Sequence, residues 1–114
     1  MSTIELLVAR NAEDAARRAA ELLVAAARRG GHIALSGGST PRPAYELAAE
    51  LEPDWSTADV WLGDERVVPP DDERSNLRLV REHLVDRLRG APRLHAVDTS
   101  LPAEEAAAAY DAAL

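Results

Sequence analysis

The sequence contains no cysteine, no lysine and no phenylalanine, and no apolar run approaches the length needed to span a membrane. Without cysteine there is no disulfide scaffold, no thiolate nucleophile and no Cys-based zinc site. All 13 basic residues are arginine, so neither a Schiff-base lysine nor a P-loop lysine is available in this segment. Aromatic residues make up only 4%, two Trp and two Tyr. The core must therefore be built from Leu, Val, Ile and much Ala, a residue that favours helix and lets helices approach a sheet closely. Positive charge is also short. A net charge of -7 argues against a nucleic-acid partner, which needs a basic face for the phosphate backbone, and no basic run suggests a membrane partner. A pocket for a small anion stays open, because it depends on local charge. The opening residues, MSTIELLVARNAEDAARR, lack the basic start and apolar stretch of an export signal, so the expected location is the cytoplasm.

What is present is ordinary for one globular domain: 114 residues, 46% hydrophobic and 29% charged. Thr3–Ala9 reads as a strand. Asn11 then offers a helix N-cap, with the Asp14 carboxylate suited to the positive end of the dipole. The helical stripe Ala12, Ala15, Ala16, Ala19, Leu22, Leu23, Ala26 and Ala27 follows, ended by Gly30 and Gly31. His32–Ser36 is a second strand, and Ser39 or Thr40 can cap the next helix, with Pro41 in or near its first turn, running to about Leu51. Ala58–Leu62 is a third strand. A polar segment, Gly63 to Ser75, leads to a helix capped by Ser75 with the stripe Leu77, Val80, Leu84 and Leu88. Arg93–Val97 is a fourth strand, and Pro102–Leu114 starts another helix. Alternation of this kind predicts a doubly wound, Rossmann-like α/β domain, with a mainly parallel sheet and helices on both faces. The last helix reaches Leu114 without a stop signal, as a frayed terminal helix or a truncated chain would.

Two loops carry candidate chemistry. Ser36–Pro41 (SGGSTP) joins a strand to a helix. Its glycines allow close backbone approach, its helix start presents unpaired N–H groups, and Ser39 and Thr40 add hydroxyls, which together suit a phosphate without lysine. A tight turn with an ordinary Ser/Thr cap fits the loop equally well. The spacing is not the GxGxxG of a dinucleotide site. Gly63–Arg66 (GDER) places acid and base functions after an apolar strand, although a solvated salt-bridge cluster has the same composition. Both loops follow carboxyl ends of strands, so in a parallel sheet they share the edge at which α/β folds bind ligands. A phosphorylated small molecule facing one common crevice is the ligand class that this arrangement predicts.

SGGSTP followed by WLGDERVVPPDDERSN, at this separation, resembles the 6-phosphogluconolactonase family over the whole chain. The discriminating part is the extension through Asp64, Glu65, Arg66, Val68, Pro69, Ser75 and Asn76. Related glucosamine-6-phosphate deaminases share a Gly-Ser-Thr loop and an Asp-Glu pair, but usually carry Tyr where this chain has Arg66. The resemblance implies hydrolysis of 6-phospho-D-glucono-1,5-lactone to 6-phosphogluconate in the oxidative pentose phosphate pathway, with a phosphosugar lactone as partner and neither cofactor nor metal.

On that resemblance Gly37, Gly38, Ser39 and Thr40 hold the substrate phosphate. Arg66 contacts substrate anionic groups or the developing oxyanion through its permanently charged fork, and Asp64 positions water or a basic partner. Glu65 is expected to pair structurally with an arginine, and Asn76 to order the loop. The family's usual base is a histidine in a Gly-Asp-Gly-His stretch of the second half, which is absent here. His32, His83 and His95 lack that context and read as structural or solvent-facing. The chain thus corresponds to the N-terminal part of a single domain, expected to bind sugar phosphate weakly, to be inactive alone and to expose an apolar face. Two rivals remain. One is an amino-sugar phosphate deaminase, marked by ammonia release. The other is a non-catalytic sugar-phosphate-binding domain, marked by ligand-linked stabilisation without hydrolysis.

Overall fold

The structure, a computed structural model, describes residues 10–63, 65–66 and 68–113. The strand expected at Thr3–Ala9 lies outside these residues. Helix α1 (Ala12–Arg29) starts as expected: Asn11 is extended, and its side chain accepts the Asp14 N–H at 2.8 Å. It ends at Gly30, whose φ of 70° is the left-handed geometry of a helix C-cap.

Strands β1 (His32–Leu35), β2 (Asp59–Leu62) and β3 (Arg93–His95) form a parallel sheet in the order β1-β2-β3. Helix α2 (Arg42–Leu51) connects β1 to β2, while α3 (Asn76–His83) and a 3-10 turn (Val85–Arg87) connect β2 to β3. Helix α4 (Ala103–Ala113) follows β3. The expected doubly wound parallel architecture is what forms. Two elements are shorter than their apolar patterns suggest: β3 stops at His95, and α3 gives way at Leu84 to the 3-10 turn. Leu84 is nevertheless fully buried, so the stripe from Leu77 through Val80 to Leu84 packs as a unit across that break.

Register sets the two sheet faces. Ile33 lies beside Val60 and Leu94, and Leu35 beside Leu62. These residues join Tyr45, Ala48, Leu77, Val80 and Leu84 in the core under α2 and α3. Trp55, fully buried, satisfies its indole N–H on the Glu52 carbonyl at 2.9 Å, as a buried donor must.

The other face carries a row of His32, Asp59 and Arg93 and then a row of Ala34, Trp61 and His95. Asp59 takes Arg93 bidentately at 2.7 and 2.8 Å and meets His95 Nε2 at 2.9 Å. His95 stacks on Trp61 at 3.8 Å, and Tyr110 of α4 reaches the same indole edge-on at 5.9 Å. Helix α4 thereby covers part of this face.

The buried face of α1 is Ala20, Val24 and Ala27. Most of the stripe read from the sequence, from Ala12 to Leu23, lines instead an open, mainly apolar hollow of about 980 Å³ beside β1. Leu22 is 57% exposed. Short alanine-rich stripes overlap on a helix surface, so periodicity alone does not tell which of two neighbouring apolar faces packs. No helix of the described residues is long and apolar enough to cross a membrane.

Candidate active site

The Leu35–Leu62 register puts the ends of β1 and β2 side by side, and Gly63 N donates to Leu35 O at 2.8 Å. The loops beginning at Ser36 and Gly63 therefore leave the same carboxyl edge of the sheet, where open α/β folds bind ligands.

The first loop is held at its root and at its glycine. The phenol of Tyr45, a buried residue of α2, donates to Ser36 O and accepts from Ser36 N at 3.1 Å. Burial pushes the Tyr45 pKa up, so the phenol keeps the proton it donates. At Gly37 the backbone passes so close to Asn76 that a Cβ would lie 1.9 Å from its Oδ1. Gly38 has φ +95°, a conformation that side-chain-bearing residues rarely adopt. Both glycines are thus required by geometry.

Ser39 and Thr40 do not cap α2. The residue at the cap is Pro41, already helical at φ -80° and ψ -10°, and no side chain caps this helix. The Pro41 side chain offers no acceptor, Pro43 in the first turn has no N–H, and the hydroxyl residues precede the cap position from which a side chain reaches the early amides. This start of α2 is left to backbone groups and to whatever binds there. Gly37, Ser39 and Thr40 line the polar end of the large hollow.

The second loop is organised by Glu65. It does not pair with an arginine. Its Oε1 accepts from Asn76 N and from its neighbour Arg66 N, both at 2.7 Å. Its Oε2 accepts from Ser75 Oγ at 3.0 Å and Leu77 N at 2.9 Å. Ser75 itself caps α3 as expected, accepting Arg78 N at 3.2 Å. The helix dipole explains the choice: a carboxylate gains more from unpaired N–H groups at a helix start than from a solvated guanidinium.

Arg66 is exposed, and no carboxylate of a described residue pairs with its guanidinium. It lines a hollow of about 340 Å³ with Val97, Thr99, Ala106, Tyr110 and Asp111. Tyr110 ties this wall to the sheet by sharing its proton between Leu62 O at 2.8 Å and His95 O at 3.1 Å. Asp64 lies outside the described residues. Asn76 is 5% exposed and stands between the loops, its side chain against Gly37 and its amide on Glu65.

The loops are therefore neighbours, but Ser39 and Thr40 open onto one hollow and Arg66 onto another. The histidines meet other partners: His95 is engaged by Asp59, His32 accepts the Trp61 indole N–H at 3.1 Å, and His83 faces Glu46 at 3.6 Å. Among the described residues no group of three or more His, Cys, Asp or Glu could hold a metal ion. Sequence reasoning missed Tyr45 and Tyr110, which fix the loop roots through backbone groups, because such partners are set by tertiary packing.

Together these features define a parallel α/β domain with glycine-hydroxyl and acid-arginine loops on one carboxyl edge of the sheet. Residues 3–114 match the family described as glucosamine-6-phosphate isomerases/6-phosphogluconolactonase, and the chain belongs to that family. It is 42% identical over 80 residues to a 6-phosphogluconolactonase of Thermotoga maritima, a match covering 69% of this chain and 36% of that protein. It is 43% identical over 95 residues to one of Rhizobium meliloti, covering 79% and 39%. A crystal structure of 6-phosphogluconolactonase from Thermotoga maritima superposes with a TM-score of 0.69 at 35% identity, covering 82% of this chain and 48% of that one. The chain thus spans less than half the length of these relatives.

Proposed function

We propose that this chain supplies the phosphate-binding loop and the arginine loop of a 6-phosphogluconolactonase, acting in the cytoplasm on 6-phospho-D-glucono-1,5-lactone. The observation that carries the reading is the start of α2: a glycine-rich loop with two hydroxyls leads into a helix that no side chain caps. Unpaired amides at a helix start attract an anion, so the substrate phosphate binds Gly37, Gly38, Ser39 and Thr40. Arg66, free of any described carboxylate, takes a substrate anionic group or the oxyanion that forms as water attacks the lactone carbonyl. Asp64 orients that water or its base, and Asn76 holds the two loops together. The named activity of the relatives in Thermotoga maritima and Rhizobium meliloti supports this reading.

Lactone hydrolysis also needs a base to take the water proton. His95 and His32 are hydrogen-bonded to Asp59 and Trp61, and His83 lies beside Glu46, so no histidine of the described residues is assigned as that base. The isolated chain then binds 6-phosphogluconate but opens the lactone no faster than water does. A lactonase assay corrected for spontaneous opening, beside a calorimetric titration with 6-phosphogluconate, tests this. Binding without turnover is expected; rapid turnover would put the base within this chain, and no binding would remove the phosphate site.

The placement of His32, His83 and His95 against Trp61, Glu46 and Asp59 favours a second reading, a sugar-phosphate-binding domain without catalysis. It predicts no hydrolysis even when the chain is joined to the second half of a relative, whereas the lactonase reading predicts turnover.

A further inference from the structure

We propose that Glu65 is the positioning residue of this site, fixing Arg66 and Asn76 against the Gly37 turn by closing the start of α3. The inference rests on the phosphate-site reading and adds a residue that touches no substrate.

Both carboxylate oxygens of Glu65 are fully used. Each accepts two donors, and three of the four donors belong to Ser75, Asn76 and Leu77 at the beginning of α3. With Ser75 Oγ on Arg78 N, the first three amides of that helix all have side-chain acceptors. The start of α3 is closed to an anionic ligand and carries a negative charge besides, so the anion is directed to α2, whose start has no such closure. The same carboxylate holds the Arg66 amide, which fixes where the guanidinium leaves the backbone.

The link to the other loop is steric. Asn76 fills the space over Gly37 that a Cβ would need, so a shift of the first turn of α3 moves the glycine loop with it. Misplacement of reacting groups by about 1 Å can cost up to a hundredfold in rate, which gives such a clamp functional weight.

Glu65→Gln is the direct probe. Its amide keeps the volume but turns one acceptor into a donor facing other donors. Asp59→Asn serves as control, since it weakens the Asp59–Arg93 pair at the amino edge of the sheet, opposite the two loops. Two readouts apply to the intact chain: affinity for 6-phosphogluconate by calorimetry, and the amide resonance of Gly37 without ligand. Glu65→Gln is expected to weaken binding by about tenfold, within the range misplacement can produce, and to move the Gly37 resonance. Asp59→Asn should lose stability and change neither. Wild-type affinity together with an unmoved Gly37 in Glu65→Gln would overturn the proposal.

Should the unmodified chain fail to bind 6-phosphogluconate, the phosphate reading fails, and the Gly37 resonance alone decides the positioning claim. Should Glu65→Gln not fold, Asn76→Ala leaves the Glu65 bonds to backbone intact and must still move Gly37; an unmoved resonance there overturns the link.

Discussion

Two helices in this molecule begin on the same edge of the sheet, each after a strand and a turn that contains serine, and they begin in opposite ways. At α3 every early amide meets an oxygen: Ser75 takes Arg78 N, and Glu65 takes Asn76 N and Leu77 N. At α2 the cap is a proline, and the Ser39 and Thr40 hydroxyls lie before the position from which they could cap. A helix start carries about half a positive charge whichever way it is closed. Where the chain supplies its own anion, as Glu65 does, that charge becomes structural. Where it supplies none, the charge stays available to a ligand.

The largest way to break this contrast is to remove the internal anion. Glu65→Ala leaves several part-buried donors without acceptors, and bonds to charged groups contribute about 1.5–3 kcal/mol; urea unfolding should show a loss of that order. A loss below the level of a surface substitution would mean that water serves α3 equally well.

Gly37→Ala attacks the seam. Its Cβ would meet Asn76, and overpacking of this kind costs about 1–3 kcal/mol. We expect a lowered thermal midpoint and lost 6-phosphogluconate binding, with Asn76→Ala in the same chain restoring part of the stability. A fully stable Gly37→Ala single variant would contradict the close approach.

The opposite, amino edge of the sheet offers a control. Hydrogen bonds from Arg93, then His95, hold the Asp59 carboxyl far below the usual carboxylate range. A depressed folded-state value means that the stabilisation is complete above the unfolded value of about 3.9 and is lost as pH falls below it. Asp59→Asn should therefore flatten the acid side of the stability profile and leave phosphosugar affinity at neutral pH unchanged. Equal acid slopes in the two proteins would show that the pair contributes little.

The smallest expected effect on stability is at Ser39 and Thr40. A lost N-cap costs about 1 kcal/mol, whereas these hydroxyls cap nothing, so Ser39→Ala and Thr40→Ala should change unfolding by less than about 0.5 kcal/mol, as surface substitutions do. Their affinity for inorganic phosphate should nevertheless fall.

Much of this fold is legible in local pattern. Asn11 with Asp14, Gly30 after α1, and Ser75 before α3 are signals completed within four residues, and each forms as its residue type dictates. The shared edge of the two loops also follows from strand-helix alternation alone. What is not legible depends on distant partners. Glu65 closes a helix ten residues further on, and Asp59 meets Arg93 only because of strand register. The Ser39–Thr40 cap fails because a proline one position later already adopts helical geometry. That Ser39 and Thr40 line one hollow and Arg66 another is likewise not legible, since cavity shape is decided by packing around the loops.

The central claim is that the start of α2, and not that of α3, receives the anion. Titrating the chain with 6-phosphogluconate and following backbone amide resonances tests it residue by residue. The account predicts saturable shifts at Gly38, Ser39, Thr40, Arg42 and Ala44, with Leu77 and Arg78 unmoved. Shifts centred on Leu77 and Arg78, or none at any of these amides, would contradict it.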